Sequence, residues 1–123
     1  MNLGAIIGLV FLGGGLGSLS RFGISALSLK WYNGQFPLGT LIANALACLT
    51  LGITIYLLKD KIQDYDWIKY FVVIGFCGGF STFSTFSMET VKLIQDQLYG
   101  LAVLNILISL MLGIAILMTL VKS

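Results

Sequence analysis

The chain has 123 residues, of which 58% are apolar and 10% charged, and its mean hydropathy is +0.99. A soluble domain carries about 25% charged residues, so this composition is that of an integral membrane protein. Histidine is absent, which removes imidazole metal ligation and His-based acid–base chemistry. The net charge of +2 comes without a basic block, so nucleic acid is not expected as a partner.

Four apolar spans are predicted, from about Leu3 to Leu27, Phe36 to Leu58, Trp67 to Ile94 and Leu98 to Val121. Each reaches or exceeds the roughly 20 residues that a membrane helix needs. Short loops join them, leaving one four-helix transmembrane domain over 1–123 and no soluble domain. The N-terminal stretch lacks a basic leader and is too long for a signal-peptide core, so it is expected to remain as a span.

The first span carries Gly4-x-x-x-Gly8 and Gly13-x-x-x-Gly17, a spacing that lets helix backbones approach closely in lipid. No strand precedes these glycines and the nucleotide-binding pattern is not met. Arg21, near the end of the span, has two readings: a side chain snorkelling to the interface, or an electropositive mouth for anions.

The second span opens with Pro37, which suits a first helical turn. Thr40, Asn44, Cys48 and Gly52 then recur every fourth residue, giving one small, polar face. Asn44 is either interhelical glue or a source of amide N–H donors for an anion. Cys48 and Cys77 both lie in apolar segments and are read as reduced packing residues rather than a disulfide or zinc site.

In the third span an apolar run gives way to Gly78-Gly79 and five hydroxyl residues, Ser81, Thr82, Ser84, Thr85 and Ser87. Glycine weakens a helix, and Ser and Thr compete for its backbone. A helix broken at the two glycines is therefore expected, with a second half starting near Ser81. Backbone freed at membrane depth is tolerated only inside protein or against a polar cavity. Phe83 and Phe86 share one face of the second half, alternating with hydroxyls, which is a poor way to build a lipid surface. Glu89, toward the end of the span, is read as an interfacial charge or pore-mouth group, with a proton or cation site as the other reading.

The fourth span places Asn105, Ser109 and Gly113 on one narrow face, expected to meet the third span. Flanking charge is nearly balanced: Lys59, Lys61, Lys69 and Lys122 lie on one side, Arg21, Lys30 and Lys92 on the other. Orientation is then weakly specified, and an antiparallel dimer follows if the chain inserts both ways. No nucleophile–base pair or carboxylate dyad is present, so catalysis is not expected. Hydroxyl and amide donors, positive aromatic ring edges and a half-helix N-terminus suit a small hard anion. Carbonyls released at Gly78–Ser81 suit a hard cation.

The stretch Gly75-Phe-Cys-Gly-Gly-Phe-Ser-Thr-Phe-Ser-Thr-Phe-Ser-Met-Glu89 resembles the signature of the Fluc fluoride channels, the CrcB family. Gly13-Gly-Gly-Leu-Gly-Ser-Leu-Ser-Arg21-Phe and Pro37-Leu-Gly-Thr-Leu-Ile-Ala-Asn44 are similar to two further blocks of that family. The resemblance implies an all-α, dual-topology homodimer in a cell membrane, passively exporting fluoride through two pores along the subunit interface. It implies Phe83, Phe86, Asn44, Ser84, Thr85 and Ser109 as the fluoride pathway. It also implies a structural sodium ion at the dimer centre on the backbone carbonyls of Gly78 and Ser81, the latter usually Thr in the family. Asn105 stands where the family often has Tyr, so its role is open. A proton-coupled small multidrug-type exporter would need a carboxylate in the first span, and there is none. A structural membrane subunit without transport would leave the hydroxyl-rich third span unexplained.

Overall fold

The computed structural model describes residues 1–121. Helix α1 (Leu3–Trp31) is followed by α2 (Leu38–Asp64), a π-helical segment (Ile68–Cys77), the short α3 (Gly78–Phe80), α4 (Phe83–Gln95) and α5 (Tyr99–Leu120). Four helical runs, Leu3–Trp31, Leu38–Asp64, Ile68–Gln95 and Tyr99–Leu120, are long and apolar enough to cross a membrane. No β-strand occurs among the described residues. Backbone polar groups in lipid must be satisfied within the segment, and helices do this. Lys122, one of the flanking charges, lies outside the described residues.

Helix α1 is capped at its start by Asn2, whose Oδ1 accepts the Ala5 N–H at 2.8 Å. It packs mainly on the π-helical segment and also on α2 and α3. The Gly13 and Gly17 spacing serves this seam. A Cβ at Gly13 would overlap the Phe71 carbonyl oxygen, and one at Gly17 the Phe76 carbonyl oxygen. From the other side, a Cβ at Gly79 would overlap the Gly14 carbonyl. The Gly4-x-x-x-Gly8 pair makes no such approach within the chain: Gly8 has nothing within 4 Å of its Cβ position.

Helix α2 runs past the expected end at Leu58. Leu58 itself has non-helical torsions (φ −122°, ψ 22°), so the apolar span ends at a kink, and the polar run expected as a loop continues helically to Asp64. Lys and Gln are good helix formers, and Tyr65 N–H closes the last turn on the Lys61 carbonyl at 2.7 Å. The small face of α2 packs on α5: a Cβ at Gly52 would sit 2.7 Å from Leu120 Cδ1, and one at Gly113 would lie 3.3 Å from Cys48 Sγ. The small face of α5 is therefore divided, with Gly113 against α2 and only Asn105 against the third span. Cys48 and Cys77 are both free thiols.

The third span departs most from its expected form. Its first half is π-helical, a rare conformation that clusters at functional sites. Gly78 (φ −64°, ψ −38°) is helical, and Gly79 lies inside α3. The chain opens instead at Ser81 (φ −82°, ψ 158°) and Thr82 (φ −150°, ψ 122°). The glycines thus do not break the helix. Gly79 lets α1 approach, and the two hydroxyl residues that follow take the extended backbone.

Candidate functional site at the broken helix

Thr82 ends the interruption as the N-cap of α4, its Oγ1 accepting the Thr85 N–H at 3.2 Å. This is the ordinary preference of a short hydroxyl side chain for that position. The second half-helix consequently begins at Phe83, two residues later than Ser81. Thr82 itself is clamped by Asn44 of α2: the Thr82 N–H donates to Asn44 Oδ1 at 2.8 Å, and Asn44 Nδ2 donates to the Thr82 carbonyl at 3.3 Å. One carboxamide thus satisfies both backbone groups of Thr82. Of the two readings of Asn44, interhelical glue is therefore observed, and one of its N–H groups is left over for another acceptor.

Arg21 reaches the same break from α1, with Nε donating to the Gly79 carbonyl at 3.3 Å. The side chain is directed into the span, where it satisfies a carbonyl at the end of α3. The Cys77 carbonyl accepts both the Ser81 N–H at 3.1 Å and the Ser81 hydroxyl at 3.1 Å. Among the described residues, the carbonyls of Gly78 and Ser81 accept no hydrogen bond. Gly78 is exposed, and a Cβ there would meet nothing within 4 Å. Carbonyl oxygens without donors are hard ligands of the kind a hard cation takes.

Past the cap, the Phe83 and Phe86 rings lie 6.2 Å apart between centroids at 43°. Phe83 is 79% exposed although it lies at mid-span. Ser84 is exposed, its Oγ 3.4 Å from Thr82 Oγ1, and Thr85 is half-buried beside it. Rings and hydroxyls thus share an outward surface at the start of α4, where the helix dipole favours negative charge.

Ser109 is not on that surface. Its hydroxyl donates to Asn105 Oδ1 at 3.3 Å, and Asn105 Nδ2 donates to Thr90 Oγ1 at 2.9 Å. Glu89 lies farther along α4, where it lines a cavity of about 490 Å³ with Ser25, Ser28, Thr40 and Lys92. Its Oε1 is buried and has no partner among the described residues. The structure thus gathers Arg21, Asn44, Gly78, Ser81, Ser84, Thr85, Phe83 and Phe86 around one break, and sets Ser109 and Glu89 apart from it. Sequence reasoning did not single out Gly79, Thr82 or Thr90 as working residues. A hydroxyl three residues past a glycine pair was the available signal for the Thr82 cap.

A small four-span protein whose third span opens at mid-membrane, braced by half-buried polar groups from two other helices, belongs to the class of membrane transport proteins. The model of the family "CrcB-like protein, Camphor Resistance (CrcB)" matches residues 8–120. The chain is 43% identical over 108 residues to a fluoride-specific ion channel FluC of Coxiella burnetii, covering 87% of each. It is 41% identical over 116 residues to one of Pyrococcus abyssi, covering 94% of this chain and 92% of the relative. A third, of Solibacter usitatus, is 34% identical over 107 residues, with 87% and 88% covered. The chain belongs to the CrcB family.

Proposed function

We propose that this chain is a fluoride-selective, passive ion channel of a cell membrane, and that the surface at the start of α4 carries the ion. The carrying observation is the clamped break at Ser81–Thr82, followed by an exposed phenylalanine at membrane depth. Fluoride holds its hydration water tightly, so a pore must supply replacement donors at close quarters. The groups available are the ring edges of Phe83 and Phe86, the hydroxyls of Ser84 and Thr85, and the N–H of Asn44 that Thr82 leaves unused. The N-terminus of α4 adds a favourable dipole. Arg21 holds the Gly79 carbonyl and places positive charge near the same path. Nothing in this scheme is catalytic.

A single subunit exposes Phe83, which supports assembly with a second copy that closes the pathway against it. In the reading taken here the second copy is inverted and lipid covers the remaining apolar helix faces. The flanking charges of the sequence are Arg21, Lys30 and Lys92 against Lys59, Lys61, Lys69 and Lys122. That residual imbalance still specifies orientation weakly. The carbonyls of Gly78 and Ser81 would meet their counterparts at the centre of such a pair. A sodium ion held there would supply fixed positive charge and tie the subunits together.

Fluoride efflux from liposomes holding the purified protein, read with a fluoride electrode beside a chloride-loaded control, tests the function. Rapid, fluoride-only efflux without an imposed proton gradient is expected. Absence of efflux from a folded protein removes the channel reading and turns attention to proton-coupled transport through the unpartnered Glu89 carboxylate.

A further inference from the structure

Among the described residues, Asn105 is the largest side chain that is essentially sealed, at 1% exposure. A carboxamide buried in an apolar helix is costly unless its groups are paired, and here they are paired in one direction. The Ser109 hydroxyl donates to Asn105 Oδ1 at 3.3 Å. Asn105 Nδ2 donates to Thr90 Oγ1 at 2.9 Å. The Thr90 hydroxyl donates to the Phe86 carbonyl at 2.8 Å.

Every proton in this series points toward Phe86. Thr90 is itself buried, and its hydroxyl has a choice of rotamers, since Thr in a helix divides between two. The Asn105 amide occupies the Thr90 oxygen as an acceptor and leaves that hydroxyl one productive direction, back along α4. A side-chain bond to the carbonyl four residues earlier bends a helix slightly, and the carbonyl that accepts it here is that of Phe86. The Ser109 proton is thus spent on Asn105.

We propose that Asn105 is a positioning residue for the ion path, acting through Thr90 on the turn of α4 that bears Phe86. The inference rests on the reading of Phe86 as part of the fluoride pathway. It differs from a role for Asn105 as simple glue between α4 and α5, which would change stability but not passage through folded channels.

The test uses the full-length protein in liposomes, with efflux normalised to folded protein and thermal stability measured alongside. Asn105→Leu keeps the volume and removes the amide; Thr90→Val keeps the shape and removes the hydroxyl. Each is expected to slow fluoride efflux per folded channel by about tenfold, the scale set by losing one buried hydrogen bond. The double variant is expected to be no slower than either single one, because both act through one series of bonds. Should Asn105→Leu fail to fold, Thr90→Val alone decides, with the same tenfold loss expected. Parent-rate efflux from Thr90→Val, or from a folded Asn105→Leu with lowered melting temperature, reduces Asn105 to glue and overturns the proposal. Single effects that multiply in the double variant overturn it as well. Phe86→Ile is measured in parallel: if it conducts at the parent rate, the pathway reading fails and takes this one with it. If Phe86→Ile is blocked while the other variants conduct normally, only the positioning role is lost.

Discussion

Asn44 and Thr82 exchange two hydrogen bonds, at 2.8 Å and 3.3 Å, across 38 positions of sequence. The pair satisfies the Thr82 N–H and carbonyl where the third span opens. Replacing Asn44 by Leu strands an N–H and a carbonyl inside the membrane, each costing about 1–3 kcal/mol. We predict a markedly lower melting temperature in detergent and loss of fluoride efflux. Asn44→Asp keeps the acceptor for the Thr82 N–H but loses the donor to its carbonyl, so it should melt between the parent and Asn44→Leu. Asn44→Leu with unchanged melting would show that the clamp is not needed to hold the break.

The rings of Phe83 and Phe86 are the second target. Phe83→Ile and Phe86→Ile keep apolar volume and remove the positive ring edge. Fluoride efflux is expected to stop while the purified protein elutes and melts as before. Phe83 is so exposed within one subunit that its loss carries little folding cost in the isolated chain. Parent-rate efflux from both variants would rule out ring edges as ligands.

Glycines along the α1 seam should tolerate no methyl group. Gly17→Ala places a Cβ against the Phe76 carbonyl, and Gly13→Ala against that of Phe71. Overpacking of this kind costs about 1–3 kcal/mol, read as a fall in melting temperature. Gly15→Ala is the control, since nothing lies within 4 Å of its Cβ position and alanine is the better helix former. It should melt no lower than the parent.

Arg21 separates two roles by salt and concentration. As a brace on the Gly79 carbonyl, its loss in Arg21→Met costs about 1.5–3 kcal/mol, as for a hydrogen bond made by a charged group. The melting temperature should then drop whatever the fluoride concentration. As an anion-attracting mouth alone, Arg21→Met would melt normally and lose efflux only at low fluoride, with recovery at high fluoride. We predict the first pattern.

If the Gly78 and Ser81 carbonyls hold sodium, preparing the protein with a bulky organic cation in place of sodium should abolish efflux. Returning sodium should restore it. Unaltered efflux after exhaustive sodium removal would leave the two carbonyls to water.

The four spans were legible because lipid imposes length and apolarity on any helix that crosses it. The polar punctuation of the third span was legible as well, since hydroxyls at mid-membrane need a reason. Its detail was not. Gly78 and Gly79 read as breakers from intrinsic propensity, yet Gly79 stays helical because α1 needs the room its missing Cβ leaves. The π-helical geometry of Ile68–Cys77 has no counterpart in residue pattern, and its sequence reads as ordinary apolar helix. Asn105 was visible as a polar residue on the α5 face, but its partner Thr90 is fixed by the register of two helices. Spacing within one helix cannot supply that register. Arg21 misled for a related reason: a cation near a span end reads as interfacial until the carbonyl it reaches is known.

The interlocked glycines of α1 and the third span have a consequence for how the protein switches on and off. A seam in which backbone rests directly on backbone has no side chains to rearrange, so α1 can neither slide nor rotate against Gly75–Gly79 without collision. The wall opposite the break is in effect a fixed casting. Movement of α1 is therefore no means of opening or closing a path that starts at the break.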